Sequence, residues 1–165
     1  MIRVSLAERN DLDSMVELLE EMDRYYGDPT VGTLDQRKAQ IETSLFSIPP
    51  SVYALLARQE TDLVGLASYS FLWPAAGVTR SLYLKELYVT REIRRAGIGA
   101  LLMQHIFKVA ADSDCSRVEW TTDRSNPDAQ KFYESLGLSE NATKIFFRAT
   151  REDIARLTEP PAGRP

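Results

Sequence analysis

Between Arg80 and Gln104 the chain runs through an apolar strand ending at Leu87-Tyr88-Val89, a basic turn with Arg91, Arg94 and Arg95, glycines at 97 and 99, and a helix-forming stretch. This order constrains the fold more than any other segment. Glycine admits φ > 0 and lets backbone approach a ligand closely. The first N–H groups of the following helix have no partner inside it and share the positive end of its dipole. Such a turn is a cradle for an anion, and a pyrophosphate fits it. Arginine is the side chain best shaped to grip phosphate. An ordinary solvated turn is the other reading of the same three arginines.

Composition limits what surrounds this loop. At 165 residues, 44% hydrophobic and 27% charged, the chain is the size of one domain with room for a core; we place that domain at 1–157 and read 158–165 as a disordered tail. A net charge of −4 argues against nucleic-acid or anionic-membrane partners, because both rest on summed positive charge. No stretch approaches the ~18 apolar residues of a membrane span, and the opening Met1–Leu6 has no signal core, so a cytoplasmic protein is expected. The single Cys115 excludes an internal disulfide and a multi-cysteine metal site; no metal is expected, and the thiol reads as a semi-buried structural residue. His105 falls on the apolar side of its helix and reads as packed.

The pattern along the chain predicts a strand over 1–6, then a helix capped at Asn10 or Asp11 with Leu12, Met15, Val16, Leu19, Met22 and Tyr26 on one face, ended by Gly27-Asp28-Pro29. A second helix is expected over about 33–46 with Leu34, Ile41 and Leu45 inward. Ser51–Arg58 and Leu63–Trp73 read as a hairpin around Gln59–Asp62, and Arg80–Val89 as the next strand of an antiparallel meander. After the loop come a helix with Ile98, Leu101, Leu102, Ile106 and Val109 on one stripe, a strand at Arg117–Thr122, a helix at Asp128–Leu136 and a last strand at Lys144–Ala149. The result is an α/β fold, mixed α+β in character: a mixed, twisted central sheet flanked by helices.

A dinucleotide fold is the rival for the glycine loop. Its Gly-x-Gly-x-x-Gly fingerprint lacks the third glycine here, although Glu119 lies where a ribose-binding acid could sit, and the preceding strands spoil the first-strand placement. A longer pattern decides for another family. Leu84-Lys85-Glu86-Leu87-Tyr88-Val89, then Arg94-x-x-Gly97-x-Gly99, then Asn126-Pro127-x-Ala129-x-x-Phe132-Tyr133-x-x-x-Gly137 closely resembles the GNAT acetyltransferases, and within them is most similar to the polyamine (diamine) N-acetyltransferase group.

The resemblance implies a sheet whose central strands splay to admit acetyl coenzyme A. The backbone of Leu87, Tyr88 and Val89 would pair with the pantetheine arm; Arg94, Arg95, Ala96, Gly97, Ile98, Gly99 and Ala100 would hold the pyrophosphate; Asn126 and Phe132 would lie on the cofactor side. It also implies a homodimer and a small-molecule amine acceptor.

The chemistry sets further tasks. A primary amine with a pKa near 10.4 is neutral in only about one molecule in two thousand at pH 7, so a base is needed. Glu86 interrupts an apolar strand, where a carboxylate is costly unless used or paired, and is the candidate base; pairing with an arginine or capping an edge is the bland reading. The amide near Val89 is the candidate oxyanion donor. Tyr133 is the candidate general acid for the departing thiolate, and spacing alone also fits a core aromatic beside Phe132. Lys85 should point to the opposite sheet face unless a bulge intervenes.

Two departures from the polyamine pattern bear on the acceptor. Lys85 stands where an acid is typical, and Tyr25-Tyr26 replaces a tyrosine followed by glutamate. Tyr25, Tyr26, Lys85 and Glu86 are therefore the candidate acceptor-binding residues, with Glu20, Glu21 and Asp23 nearby. The expected acceptor is a small amine or amino-acid-like molecule; a polyamine, or a sensor that binds acyl coenzyme A without turnover, are the alternatives.

Overall fold

The computed structural model describes residues 1–27 and 32–158. Its chain divides into two compact units, Met1–Asp123 and Arg124–Pro165. The first contains strand β1 (Ile2–Leu6), helices α1 (Leu12–Tyr26) and α2 (Leu34–Phe46), strands β2 (Tyr53–Gln59), β3 (Asp62–Leu72) and β4 (Arg80–Val89), helix α3 (Ile98–Asp112) and strand β5 (Cys115–Glu119). The sheet is five-stranded in the order β1-β2-β3-β4-β5. Neighbours are antiparallel through β4, and β5 joins β4 in parallel after the α3 crossover.

Alternation along the meander assigns the two faces. Ala54, Leu56, Leu66 and Tyr88 share one face and pack against Met15, Val16 and Leu18 of α1 and Ile41 of α2. The opposite face receives α3, which buries Ile98, Leu102, Met103, Ile106 and Ala110. Gly65 lies where they meet: a Cβ built there would stand 3.0 Å from the Tyr88 carbonyl oxygen and 3.3 Å from Leu102 Cδ1. Glycine in a strand marks such a close approach.

The capping residues act as their types dictate. Thr33 Oγ1 accepts the Gln36 N–H at 3.3 Å and the Gln36 side chain returns to the Thr33 N–H at 2.9 Å, a reciprocal cap that starts α2. Gly27, at φ 76°, closes α1 in the left-handed conformation; Asp28 and Pro29 lie outside the described residues. Leu34, expected inward, is 53% exposed because it opens its helix ahead of the packed stretch around Ile41. The fifth strand starts at Cys115 and ends at Glu119, earlier than the expected Arg117–Thr122, its register being set by pairing with Arg80–Tyr83.

The second unit carries α4 (Pro127–Ser135) and α5 (Arg151–Thr158). Asn126 Oδ1 accepts the Ala129 N–H at 3.1 Å and Pro127 fills the first helical position. Gly137, at φ 80°, ends the turn that follows. The strand expected at Lys144–Ala149 does not form: Ile145, Phe146 and Phe147 are 81%, 60% and 87% exposed and belong to no strand. Their β-branched and aromatic character describes a fit to a paired sheet surface, and propensity without a partner edge does not make a strand. α5 was not foreseen, although Thr150 and Asp153 cap it reciprocally at 3.0 and 3.2 Å. Residues 159–165, most of the expected tail, lie outside the described residues.

Candidate functional site

β4 pairs with β5 only over Arg80–Tyr83, while its pairing with β3 continues to Val89. Its Leu84–Val89 stretch therefore has an edge that no described strand covers. At the fork the Tyr83 hydroxyl lies 3.5 Å from Thr121 Oγ1.

A bulge interrupts this stretch. Glu86 is opposite Ser68 and Leu84 is opposite Tyr69, so Lys85 is an extra residue without a partner on β3. The bulge breaks simple alternation. Glu86 shares the α1/α2 face with Tyr88, and Lys85, instead of reaching the far side, places Nζ 3.5 Å from Glu86 Oε1. The lysine side chain is 66% exposed, and so open an ion pair contributes little to stability.

The end of α1 completes one wall. The Tyr25 and Tyr26 rings meet edge to face at 5.1 Å. Arg94 lays its guanidinium 3.9 Å from the Tyr25 ring centroid and 5.2 Å from that of Tyr88, while its Nε donates to the Val89 carbonyl at 3.0 Å. The Tyr88 hydroxyl donates to Glu21 Oε1 at 2.7 Å, and the same oxygen accepts the Arg91 N–H at 3.3 Å. Burial and then the Glu21 bond hold the Tyr88 phenol well above its ordinary pKa. Tyr26 is also pushed up, first by burial and then by the negative charge of Glu86, with Tyr25 and Asp123 adding and Arg94 opposing.

Two of the acids flanking the tyrosines have another task. Arg37, with a side chain only 10% exposed, bonds Glu20 at 3.0 Å and Asp23 at 3.1 Å and fastens α2 to α1. Of the three acids the sequence places near the tyrosines, Glu21 is thus the one left at the site, and Asp123 is the acid that sequence reading did not single out. Glu21 gave a weak signal, lying one turn before Tyr25 on α1; Asp123 gave none, because only the fold brings it within the field of Tyr26.

Beyond β4, Arg91–Ile93 form a 3-10 turn, Arg95 and Gly97 take positive φ of 69° and 79°, and α3 begins at Ile98. The first α3 amide to bond back is Leu101, to Gly97 O at 3.0 Å, so the amides of Ile98, Gly99 and Ala100 precede the first intrahelical bond. Arg95, Ala96 and Gly97 are exposed. A Cβ at Gly97 would meet nothing within 4 Å, so its conformation, rather than crowding, calls for glycine.

In the second unit, Phe132 and Tyr133 lie on α4, both partly buried, with ring centroids 5.1 Å apart. The Tyr133 carbonyl accepts the amides of Leu136 and Leu138 at 3.1 and 3.3 Å, anchoring the helix end. Elsewhere, His105 Nδ1 lies 2.9 Å from Leu101 O, and burial raises the pKa of the part-buried Cys115 thiol. Among the described residues no group of three or more His, Cys, Asp or Glu could hold a metal ion, and no helix is long and apolar enough to cross a membrane.

The chain is similar to known proteins in sequence and in fold. Thialysine N-epsilon-acetyltransferase of Sus scrofa is 32% identical over 79 residues, covering 48% of this chain and 46% of that protein. Aminoglycoside N(6')-acetyltransferase type 1 of Serratia marcescens is 31% identical over 68 residues, covering 41% and 47%. The chain thus spans about half the length of these curated relatives. Among solved structures, an integron cassette protein from the mobile metagenome of V. cholerae superposes with a TM-score of 0.87 at 26% identity, over 96% of this chain and 98% of that one. Aminoglycoside N-acetyltransferase AAC(6')-Iy in complex with CoA shares the fold at a TM-score of 0.73 and 18% identity, over 90% and 95% of the two chains. The acetyltransferase (GNAT) family model matches residues 12–138, a span that runs from α1 through the forked strand and the glycine turn to the end of α4, and the chain belongs to that family.

Proposed function

We propose that this protein transfers an acetyl group from acetyl-CoA to the nitrogen of a small amine or amino-acid-like molecule, by direct attack in a ternary complex. The observation that carries this reading is the fork: β4 keeps an uncovered backbone edge over Leu84–Val89, and the amides of Ile98–Ala100 open α3 at the end of the turn that follows it. An extended arm ending in a pyrophosphate suits that pair of features, because an open strand edge offers main-chain partners and a helix N-terminus binds anions. Leu87, Tyr88 and Val89 would hold the arm; Arg95, Ala96, Gly97, Ile98, Gly99 and Ala100 would hold the phosphates; Asn126 and Phe132 are assigned to the cofactor side. Arg94 reaches this site from its place between Tyr25 and the Val89 carbonyl. When bound, acetyl-CoA supplies an acetyl group activated as a thioester.

The chain's own groups divide the remaining work. Glu86 takes the proton from the incoming ammonium, directly or through water, and Tyr25, Tyr26 and Lys85 shape the acceptor's place beside it. The Val89 N–H faces the negative charge that develops on the acetyl oxygen, and fixed donors of this kind need no reorganisation. Tyr133 donates its hydroxyl hydrogen bond to the departing thiolate. No step calls for a metal. The relatives are named for thialysine, an aminoglycoside and, in Saccharomyces cerevisiae, a D-amino acid, all amines.

We place the protein in the cytoplasm as a homodimer, without nucleic-acid or membrane partners. The bare Ile145, Phe146 and Phe147 side chains and the outer edge of β5 support a second copy as partner, since contiguous apolar surface of this kind marks an interface.

The test is release of free thiol from acetyl-CoA across an amine panel, with thermal stability measured in parallel. Acetyl-CoA at a hundred times its dissociation constant should stabilise the fold by about 2.7 kcal/mol, and nicotinamide dinucleotides should not. Stabilisation without thiol release would support the sensor reading instead; preferential stabilisation by a dinucleotide would sink both.

A further inference from the structure

A groove of about 240 Å³ opens among α1, α2 and the sheet. Leu19, Ile41 and Leu45 wall it from the helices, its polar side chains are Gln40, Ser44 and Ser68, and no charged residue lines it. Ser68 fixes where the groove leads. It is the direct partner of Glu86 across β3 and β4, and such pairs hold their Cβ atoms about 5 Å apart on one face. The apolar space therefore begins one side chain away from the carboxylate assigned as base.

The two ends differ in chemistry. At the Glu86 end an ammonium meets a carboxylate; burial first, and then the negative charge of Glu86, raises the neighbouring Tyr26 phenol, with Arg94 opposing. Lys85 Nζ, 3.5 Å from Glu86, offsets part of that charge, which suits one ammonium better than two. Along the groove a second ammonium would leave water with no carboxylate to meet it, whereas a hydrocarbon chain would gain from leaving it.

We propose that the groove is the binding site for the body of the acceptor, and that the acceptor class is a primary monoamine carrying an apolar chain or ring, its ammonium at Glu86 and its hydrocarbon between Leu19, Ile41 and Leu45. This rests on the acetyl-transfer reading and narrows it. Polyamines and polar polyamino sugars are disfavoured by the same geometry.

The experiment measures thiol release from acetyl-CoA with propylamine, butylamine, pentylamine, hexylamine and octylamine, and with spermidine and lysine. The specificity constant is expected to climb about fourfold per methylene, the gain that burial of one CH₂ gives, until the chain outgrows the groove. Ser68→Leu, which puts bulk at the Glu86 end, should flatten that climb; Ser44→Leu fills a different wall and serves if the first variant does not fold. A flat chain-length dependence, or an unchanged climb in a folded filled variant, overturns the proposal while leaving acetyl transfer standing. So does a preference for spermidine over hexylamine. Absence of amine-dependent release with every amine of the panel, while acetyl-CoA still stabilises the fold, sinks acetyl transfer itself, and the groove assignment with it.

Discussion

The unit Met1–Asp123 and the unit from Arg124 onward carry complementary halves of the assigned chemistry on very different foundations. The first holds every buried residue of the core, from Met15 and Leu56 to Leu102 and Ile106, and its site side chains are tied down: Tyr88 to Glu21, Arg94 to Val89 and Tyr25, Glu20 and Asp23 to Arg37. Among the described residues of the second, from Arg124 to Thr158, none is buried, and Ile145, Phe146, Phe147, Ile154 and Leu157 are exposed. Burial of apolar surface is the dominant favourable term in folding. The acceptor side is thus built on a core of its own, whereas the helix that carries the tyrosine assigned as proton donor starts at the Asn126 cap and has no buried residue.

The widest separation of the two regions should come from truncating one large side chain in each. Leu56→Ala, at a fully buried position of β2, should lower the unfolding free energy by about 2–5 kcal/mol in denaturant titration. Phe147→Ala should change it by less than about 0.5 kcal/mol in dilute solution while shifting sedimentation toward an 18.7 kDa species. Equal losses of stability from the two would erase the contrast and show that Phe147 is packed within its own chain.

A second measurement separates chemistry from support. Tyr133→Phe keeps the ring beside Phe132 and removes only the hydroxyl, so the protein should still fold while turnover falls about 10²-fold. Unchanged turnover, with chemistry shown to limit the rate, would return Tyr133 to a packing role.

The smallest expected effect belongs to the first unit. Burial, and secondarily the Tyr53 phenol stacked at 5.3 Å, pushes Tyr69 up to about 12. The folded protein therefore keeps this proton after the unfolded chain, with a pKa near 10, has lost it. Stability from this group is full below pH 10 and declines as pH rises toward 12, by about 1 kcal/mol at pH 11. In Tyr69→Phe the fall in stability between pH 8 and pH 11 should shrink by that amount; a fall as steep as in the wild type would show that Tyr69 titrates normally.

Sequence reading located β4 at Arg80–Val89, the meander before it and the glycine turn after it, because each depends on local pattern: alternation, polar turns, a residue that accepts positive φ. It could not place Lys85, whose direction follows from a bulge that exists only in the pairing of β4 with β3. Arg94 was read as a phosphate ligand from its position in the turn, and its stacking on Tyr25 depends on where the end of α1 lies. The Glu21–Tyr88 bond joins residues far apart in the chain. The expected strand at Lys144–Ala149 failed for a related reason: composition reports that a segment suits a sheet, and only tertiary structure supplies the edge.

Gly65 takes no part in the assigned chemistry, yet it governs the height of the platform. With 3.0 Å to the Tyr88 carbonyl and 3.3 Å to Leu102 for any Cβ placed there, the absent side chain is what lets α3 rest directly on β3 and β4. A single methyl group would act as a shim under the helix, tilting the amides of Ile98–Ala100 relative to the open edge of β4. The spacing between two binding surfaces is thus set by an atom that is missing from a third element. A change at this position would weaken the proposed coenzyme binding although no residue assigned to it had been altered, so Gly65 is a gauge block for the fork rather than a part of its lining.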